Sequence, residues 1–260
     1  MNKKIVDIST LGQDNIYHIT KMDDVIYKVS SSSTIYVEKG IHADILDMIS
    51  NGEIKYYVND RSSLKVNIID SANTNRYFSV DGEININEIS INDTLENLVV
   101  DLINNNSMMD AKILSVLSNG KSKFIQRVNH NKNETISDIS NFGVAIKNSD
   151  IMFDTTGFIK HRMNKSNCRQ LSKGIVMDNS SSITSKPILL IDEYDCFASH
   201  GAAIGKMSDE SLFYLMSRGL SKDDAFLLIL NGIIKPFIDN IDDDVLKEKL
   251  ENDIDNLIKK

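Results

Sequence analysis

The sequence has few cysteines, few prolines and no tryptophan. Its 260 residues include two cysteines, Cys168 and Cys196, and two prolines, Pro187 and Pro236. Two cysteines are too few for a disulfide framework. They also form no CxxC or CxxH pair, which excludes a zinc or four-cysteine cluster site built within one chain. Any metal held by this protein therefore needs His or carboxylate ligands, or ligands from a second chain.

The sequence also lacks a long apolar segment, an excess of positive charge and a phosphate-binding loop. No segment approaches the roughly 20 apolar residues of a membrane helix, and the N-terminus has no apolar core long enough for a secretory signal. We therefore expect a cytoplasmic protein without a membrane partner. The net charge of −8, with basic residues scattered among acidic ones, argues against a nucleic-acid partner. Because no GxxxxGK[ST] motif occurs, we expect no nucleotide to be bound by this chain.

Most of the chain has the pattern of short β-strands. From about residue 25 to 205, alternating or apolar runs rich in Ile and Val are separated by Asn, Asp, Ser and Gly. Their spacing, mostly about 8 to 14 residues, is typical of a sandwich, a barrel or a β-helix. The scarcity of Asn-Gly hairpins late in the chain favours parallel coils, although no hexapeptide repeat is present. Residues 40–50 are ambiguous between a short helix and a strand, because Ile41, Ile45 and Met48 have helical spacing.

Three helices are predicted after the last of these strands. Ser208 is a good N-cap for the first helix, and the second is predicted to start at Ser221. Each has two acidic residues in its first turn. Gly219 is expected to end the first helix, and Pro236 to kink or end the second. A third helix is predicted from about Asp243 because apolar residues recur there at helical spacing.

Two ordered segments of the chain carry a family signature. The first comprises Ser185-Lys186-Pro187, Ser199-His200-Gly201-Ala202 and residues 212–219, LFYLMSRG. The second is His130-x4-Thr135-x-Ser137, followed by Gly143-Val144, Phe153, Gly157 and Ile159. Together these segments span about residues 120 to 240 and closely resemble the SufB/SufD family of scaffolds for iron–sulfur cluster assembly.

The resemblance implies a mainly β fold, a right-handed parallel β-helix with a C-terminal α-helical domain. We expect a short strand-rich N-terminal lead-in over residues 1–75, the β-helix core over 76–206 and a helical ATPase-docking domain over 207–260. The resemblance also implies a homodimer, or a heterodimer with a related scaffold, in which each scaffold binds a SufC-like ABC ATPase. Such a protein is not an enzyme but a scaffold on which an iron–sulfur cluster is transiently assembled.

The resemblance also identifies candidate ligands for the cluster. His200 matches the family histidine at the scaffold–scaffold interface, and neutral imidazole is a good iron ligand. The family cysteines are missing, because Ser172 and Ala198 occupy their positions. In extended strands, Cys196 would face the same side as Ala198 about 7 Å away, and Cys168 the same side as Ser172 about 13 Å away unless it is displaced by one coil. The candidate cluster or metal ligands are His200, Cys196, Cys168, Glu193 and Asp195.

Each of these candidates also has a purely structural interpretation. His200 could simply close the turn between the β-helix and the helices, and free cysteines are frequently buried small hydrophobes. Exposed carboxylates such as Glu193 are usually only solvated. His130, Thr135 and Ser137 are interpreted as an internal polar ladder or turn rather than as a catalytic group.

The ATPase-docking surface is predicted on the first two C-terminal helices, because aromatic residues and Arg dominate interface energies. The predicted docking residues are Phe213, Tyr214, Arg218, Phe226, Ile233 and Phe237. In an isolated helical domain, Phe213 would instead be core, Tyr214 half-buried and Arg218 solvated.

Two other functions compete with the cluster scaffold. The first is an accessory subunit that binds the ATPase but holds no cluster, which the missing family cysteines favour. The second is a β-helix enzyme acting on polysaccharides, which would need paired carboxylates across a groove and usually a secretion signal and aromatic platforms. The lack of a signal and of Trp disfavours this enzyme.

Overall fold

The computed structural model describes residues 3–9 and 14–259, with the Lys259 side chain excepted. Over these residues, fifteen β-strands are followed by three α-helices. The strands are β1 (Lys4–Asp7), β2 (Ile16–Ile19), β3 (Val25–Val29), β4 (Ser33–Val37), β5 (His42–Asp47), β6 (Asn51–Val58), β7 (Ser63–Ile69), β8 (Asn73–Val80), β9 (Glu83–Ser90), β10 (Thr94–Leu102), β11 (Met108–His130), β12 (Ile136–Ile159), β13 (Asn167–Val176), β14 (Ser182–Ile191) and β15 (Phe197–Gly205). The helices are α1 (Asp209–Ser217), α2 (Lys222–Ile238) and α3 (Asp244–Lys259).

All of the strand pairs are parallel, and the strands form two stacks. One stack contains β1, β3, β5, β7 and β9, and the other contains β2, β4, β6, β8 and β10. The long strand β11 joins the stacks, since its residues 108–115 pair with β9 and its residues 122–130 pair with β10. β12 continues this pattern by pairing first with β13 and then with β14. Consecutive segments therefore alternate between two parallel stacks, which confirms the predicted β-helix.

The core of the β-helix consists of columns of inward-facing side chains. In one column, Ile45, Val66, Ile86, Ala111 and Ile139 lie opposite one another on successive coils. Each of these residues is at most 2% exposed. Fully burying an aliphatic side chain contributes about 1.5 to 3 kcal/mol, and in-register stacking repeats this gain on every coil. Strand alternation therefore places one side of each strand inside and the other outside.

The C-terminal helices cover the outer surface of one strand stack. Leu230 and Ile234 of α2 and Leu250 of α3 belong to an apolar cluster that also contains Leu114 and Val116 of β11. The helices lie against the sheet because their apolar stripes have no other partner to bury against. Among the helices that the structure describes, none is long and apolar enough to cross a membrane.

The predicted helix boundaries agree with the structure. The side chains of Ser208 and Ser221 cap α1 and α2 by accepting hydrogen bonds from backbone N–H groups three residues later. Gly219 follows α1 with a φ of +95°, a left-handed conformation that often ends helices and that glycine adopts readily. Pro236 lies inside α2, and the helix ends two residues later at Ile238.

Residues 42–47 form the strand β5, so the strand interpretation of residues 40–50 is correct. The predicted boundary at residue 75 lies within β8, and β8 pairs with β6 on both sides of that residue. The strands before residue 75 therefore extend the same β-helix. The assignment of separate roles to residues 1–75, 76–206 and 207–260 stays a prediction.

Candidate functional site

The last coil of the β-helix ends in two strands that are each paired on one side only. β14 pairs with β12, and β15 pairs with β13. Within the described residues their other edges have no strand partner, so backbone N–H and C=O groups face outward there. Large apolar side chains surround this end, and Tyr194 and Phe197 are 100% and 75% exposed. We call this end of the molecule, formed by β14, β15 and residues 192–196 between them, the open end.

His200 lies at the open end and faces the β-helix axis. It lies opposite Gln170 in the register of β13 and β15, and the Gln170 side chain is 3% exposed. Because residues opposite each other in a parallel pair point to the same side, the His200 imidazole faces inward as Gln170 does. His200 is nevertheless exposed, since no further coil of the described chain covers β15. Its imidazole is therefore available to a group that approaches the open end.

Cys196 is the candidate thiol nearest to this surface. It immediately precedes β15 and is half-buried, and its Sγ donates a hydrogen bond to the backbone oxygen of Glu193 at 3.2 Å. Burial is the main reason that the pKa of the Cys196 thiol is raised, and the negative charges of Glu193 and Asp195 raise it further. The resting side chain is therefore a thiol.

Glu193 binds the backbone of its own turn. Its carboxylate accepts hydrogen bonds from the backbone N–H groups of Arg162 at 2.7 Å, Tyr194 at 2.8 Å and Asp195 at 3.0 Å. These bonds hold the pKa of the Glu193 carboxyl below its usual range, and the bond from the Asp195 N–H has the largest effect on it. Glu193 thus stabilises the turn that carries Cys196. Asp195 is exposed, and its backbone oxygen accepts from the N–H of Lys165.

Cys168 is buried inside the β-helix, one strand in from the open end. It is 1% exposed and lies in β13 between Ser137 of β12 and Ala198 of β15. Cys168 therefore lies one coil from Ala198, whereas Ser172 lies four residues further along the same strand, β13. A Cβ added at Gly157 would lie 2.3 Å from the Cys168 Sγ, so this glycine leaves the space that the thiol occupies.

The described residues do not contain three His, Cys, Asp or Glu side chains grouped to hold a metal ion. The structure brings His200 and Cys196 to the same open end. Cys168 lies in the interior, opposite Ser137 and one strand in from the open end. The roles of all five candidates as ligands stay predictions.

His130 forms a polar ladder inside the β-helix, as the sequence predicts. It is fully buried, with Nδ1 2.8 Å from Thr135 Oγ1 and Nε2 2.9 Å from Ser137 Oγ. Burial lowers the pKa of His130 to about 4, so the imidazole is neutral. The position of Cys168 opposite Ser137 of this ladder was not predicted, since it depends on the strand register.

A second buried polar cluster was not predicted. Arg76 is fully buried and pairs with Asp47 and Glu96 through contacts of 2.9 and 2.7 Å. Glu88 is also fully buried, and burial together with the Glu96 charge raises its pKa well above its ordinary value. One signal was present in the sequence. Arg76 occupies the inward phase of β8 between Thr74 and Phe78, where an apolar residue is normal.

The predicted docking residues fall into two groups. Phe213 and Tyr214 of α1 are exposed, and the Arg218 guanidinium carbon lies 5.3 Å from the centre of the Tyr214 ring. The three residues of α2 are only partly accessible, since they pack against the cluster of helices and sheet described above. These are Phe226, Ile233 and Phe237.

The chain is similar to proteins of iron–sulfur cluster assembly. Residues 20–233 match the family described as "SUF system FeS cluster assembly, SufBD core domain". The chain is 28% identical to the iron–sulfur cluster assembly protein SufD of Bacillus subtilis over 169 residues, 64% of this chain and 38% of that protein. It is 27% identical to Escherichia coli SufD over 143 residues, 43% of this chain and 33% of that protein. A SufBD family protein of Pyrococcus horikoshii is 50% identical over 54 residues, 21% of this chain and 12% of that protein. The matched regions thus span less than half of these relatives.

Proposed function

The chain belongs to the SufBD core family of Suf-system iron–sulfur cluster assembly, and we propose that it is a scaffold subunit on which a cluster is built. In this proposal the open end joins a second scaffold, which is a copy of this chain or a related subunit. The helices bind an ABC-type ATPase. The chain itself binds no nucleotide and catalyses no reaction.

The open end is the observation that carries the proposal. Unpaired edges of β14 and β15 favour pairing with another chain, because strand addition satisfies their backbone groups. The surrounding apolar side chains would be removed from water by the same contact. They are Ile188, Leu190, Ile191, Tyr194, Phe197 and Ile204.

Pairing at this end would also complete a site for iron and sulfide, the substrates of assembly. His200 and Cys196 of one chain are too few to hold a cluster. Two copies of this chain joined at their open ends would contribute two imidazoles and two thiols near one interface. Imidazole and thiolate are suitable ligands for iron in clusters. We assign no ligand role to Cys168, because it faces Ser137 in the interior, or to Glu193, because its oxygens bind backbone N–H groups.

The exposed aromatic residues of α1 support the proposed ATPase contact. Phe213 is 74% exposed, and Tyr214 lies beside it with Arg218 against its ring. An exposed cluster of two aromatic residues and an arginine has the composition of an interface hot spot. The half-buried residues of α2 would then support α1 instead of contacting the partner directly.

The scaffold proposal is tested by anaerobic co-expression with the ABC-type ATPase from the same organism, followed by size-exclusion chromatography with absorbance detection. A complex of two scaffolds and two ATPases that absorbs as an iron–sulfur cluster is expected. His200→Ala and Cys196→Ser should remove the absorbance but keep the complex. His161→Ala, which replaces another exposed histidine, should keep both the absorbance and the complex. Retention of full absorbance in both site variants would refute the ligand assignment.

The docking surface is tested with the same complex. Phe213→Ala combined with Tyr214→Ala should release the ATPase, because both rings would lie in the contact. Val245→Ala on α3 is the matched control, since Val245 is also a largely exposed apolar helix residue. An intact complex in the double variant would place the ATPase elsewhere.

The accessory function is the second candidate. It is favoured by the absence of both family cysteines from this chain and by the turn-forming role of Glu193. A colourless but intact complex with the ATPase would support it over the cluster scaffold.

A further inference from the structure

A small cavity lies where the loop between α2 and α3 meets the outer face of the β-helix. Its volume is about 210 Å³. This is below the roughly 300 to 1,000 Å³ of pockets for drug-sized ligands, so the cavity fits a smaller molecule. The polar residues that line it are Lys65, Asn85, Asn87, Asp110, Lys112 and Asn240. The ligand that it fits is therefore small and polar.

The strand register brings four of these residues together. Lys65 of β7 lies opposite Asn85 of β9, and Asn85 lies opposite Asp110 of β11. Asn87 of β9 lies opposite Lys112 of β11 in the same way. Neighbouring strands are about 4.8 Å apart, and residues two apart along one strand are separated by about 6.6 Å. The side chains of Asn87, Asp110 and Lys112 can therefore reach the same small ligand.

Asn87 is the buried residue of the cavity, and one of its polar atoms has no partner. Its side chain is 95% buried, since the residue is 5% exposed. Nδ2 donates to Asn67 Oδ1 and to the backbone oxygen of Phe237, both at 3.0 Å. Because a backbone oxygen can only accept, these bonds define which end of the amide is the oxygen. Oδ1 is left without a hydrogen-bond partner among the described residues. A ligand that donates a hydrogen bond would satisfy it.

The charged groups at the mouth of the cavity leave one carboxylate and one ammonium group for a ligand. Two neighbouring ion pairs neutralise themselves, Lys65 with Asp242 at 2.7 Å and Arg169 with Asp138 at 3.3 Å. Asp110 and Lys112 approach each other only to 4.0 Å, which is too long for a hydrogen bond. Their side chains are 48% and 49% exposed, so both are accessible from solvent. Each can form a charge-assisted hydrogen bond with a bound molecule.

We propose that this cavity binds a small zwitterionic α-amino acid. The ammonium group of the ligand donates to Asn87 Oδ1 and to the Asp110 carboxylate, and the ligand carboxylate accepts from the Lys112 ammonium group. A simple anion would leave Asn87 Oδ1 without a donor and would be repelled by Asp110. A simple cation would be repelled by Lys112. A molecule with both groups matches all three side chains.

The position of the cavity links its ligand to the attachment of the helices. Asn240 and Asp242 belong to the loop between α2 and α3, and Asn87 binds the backbone of Phe237 near the end of α2. A ligand held by Asn87 and the loop would contact the sheet and the helical region together. Because it binds only the folded protein, it should raise the Tm.

The test is an NMR titration of the full chain, labelled with ¹⁵N, with L-alanine as the probe. Saturable shifts of the Asn87 side-chain amide are expected with L-alanine but not with sodium acetate or ethylammonium chloride. Asp110→Asn and Lys112→Met should each weaken binding about tenfold, because each removes one charge-assisted hydrogen bond. Lys123→Met is the matched control and should keep the parent affinity, since Lys123 is an exposed lysine in the part of β11 that pairs with β10.

The outcomes separate an amino-acid site from simpler alternatives. A parent chain without saturable shifts would overturn the proposal, and the cavity would then hold water only. Equal affinity for acetate and L-alanine would indicate an anion site and would also overturn it. Unchanged affinity in both Asp110→Asn and Lys112→Met would place the ligand elsewhere and exclude this cavity. The titration uses neither ATPase nor iron, so its result is independent of the scaffold function.

Discussion

Replacing Arg76 by Met is expected to destabilise the β-helix strongly. The guanidinium Nε and Nη2 bind the two oxygens of Asp47 at 2.9 and 3.0 Å, and Nη1 binds Glu96 at 2.7 Å. Tyr56 donates a further hydrogen bond to Asp47. Arg76, Asp47 and Glu96 have no solvent-exposed side-chain surface. The substitution would leave two carboxyl groups in the interior without the cation that they surround.

The size of the effect follows from the burial of these charges. Removing one partner of a buried ion pair costs about 3 to 5 kcal/mol, because the remaining charge is neither solvated nor compensated. The Met side chain is apolar and similar in length, so the contribution of a cavity should be small. For a chain of this size, the expected loss corresponds to a Tm lower by roughly 6 to 20 °C.

The assay is thermal and urea unfolding followed by circular dichroism. A triple variant, Asp47→Asn with Arg76→Met and Glu96→Gln, is the matched control, because it removes the charges together. It should recover part of the stability, since neither amide leaves an uncompensated charge in the interior. A loss of less than about 1 kcal/mol in Arg76→Met, or a triple variant less stable than Arg76→Met, would contradict a stabilising role of the buried cation.

Three further substitutions test other parts of the structure. Glu88 has a raised pKa in the folded protein, so its stabilising contribution is complete below its unfolded pKa of about 4.3 and is lost as the pH rises through the folded value. Glu88→Gln should therefore remove part of the loss of stability at higher pH, and parallel Tm–pH curves for parent and variant would contradict this. Gly157→Ala should cost about 1 to 3 kcal/mol in urea unfolding because its Cβ would overlap the Cys168 sulfur. Adding Cys168→Ala should restore part of that loss, and no restoration would mean that the overlap is relieved elsewhere. Ser208→Ala should cost about 1 kcal/mol by removing the α1 cap, whereas Ser208→Thr should cost less. Equal losses would show that the hydroxyl is not the stabilising group.

Local sequence signals correctly predicted the features that depend on neighbouring residues. The cap at Ser208, the helix start at Ser221 and the end of α1 at Gly219 follow from the chemistry of residues within one helical turn. The interpretation of residues 40–50 remained open, because Ile41, Ile45 and Met48 fit a helical stripe. The strand β5 forms there because its residues pair with β3 and β7, which the local spacing does not reveal.

The candidate site was predicted only in part. His200 could be predicted as a candidate ligand because the C-terminal signature is a set of residues in a fixed order along the chain. Burial of Cys168, the binding of Glu193 to backbone N–H groups and the half-buried positions of Phe226 and Phe237 depend on contacts between distant segments. The residue pattern of one segment does not indicate which carboxylate oxygen or thiol will be bound or buried by a distant segment.

The mainly β character, the three C-terminal helices and the family signature could all be predicted, because each depends on residue type and spacing along the chain. Which residues meet across coils could be seen only in the folded protein. The register of β12, β13 and β15 places Ser137, Cys168 and Ala198 side by side, although each is about 30 residues from the next in the chain. The physical reason is that parallel pairing joins segments one coil apart, and the length of each coil depends on turns whose conformations are selected by packing.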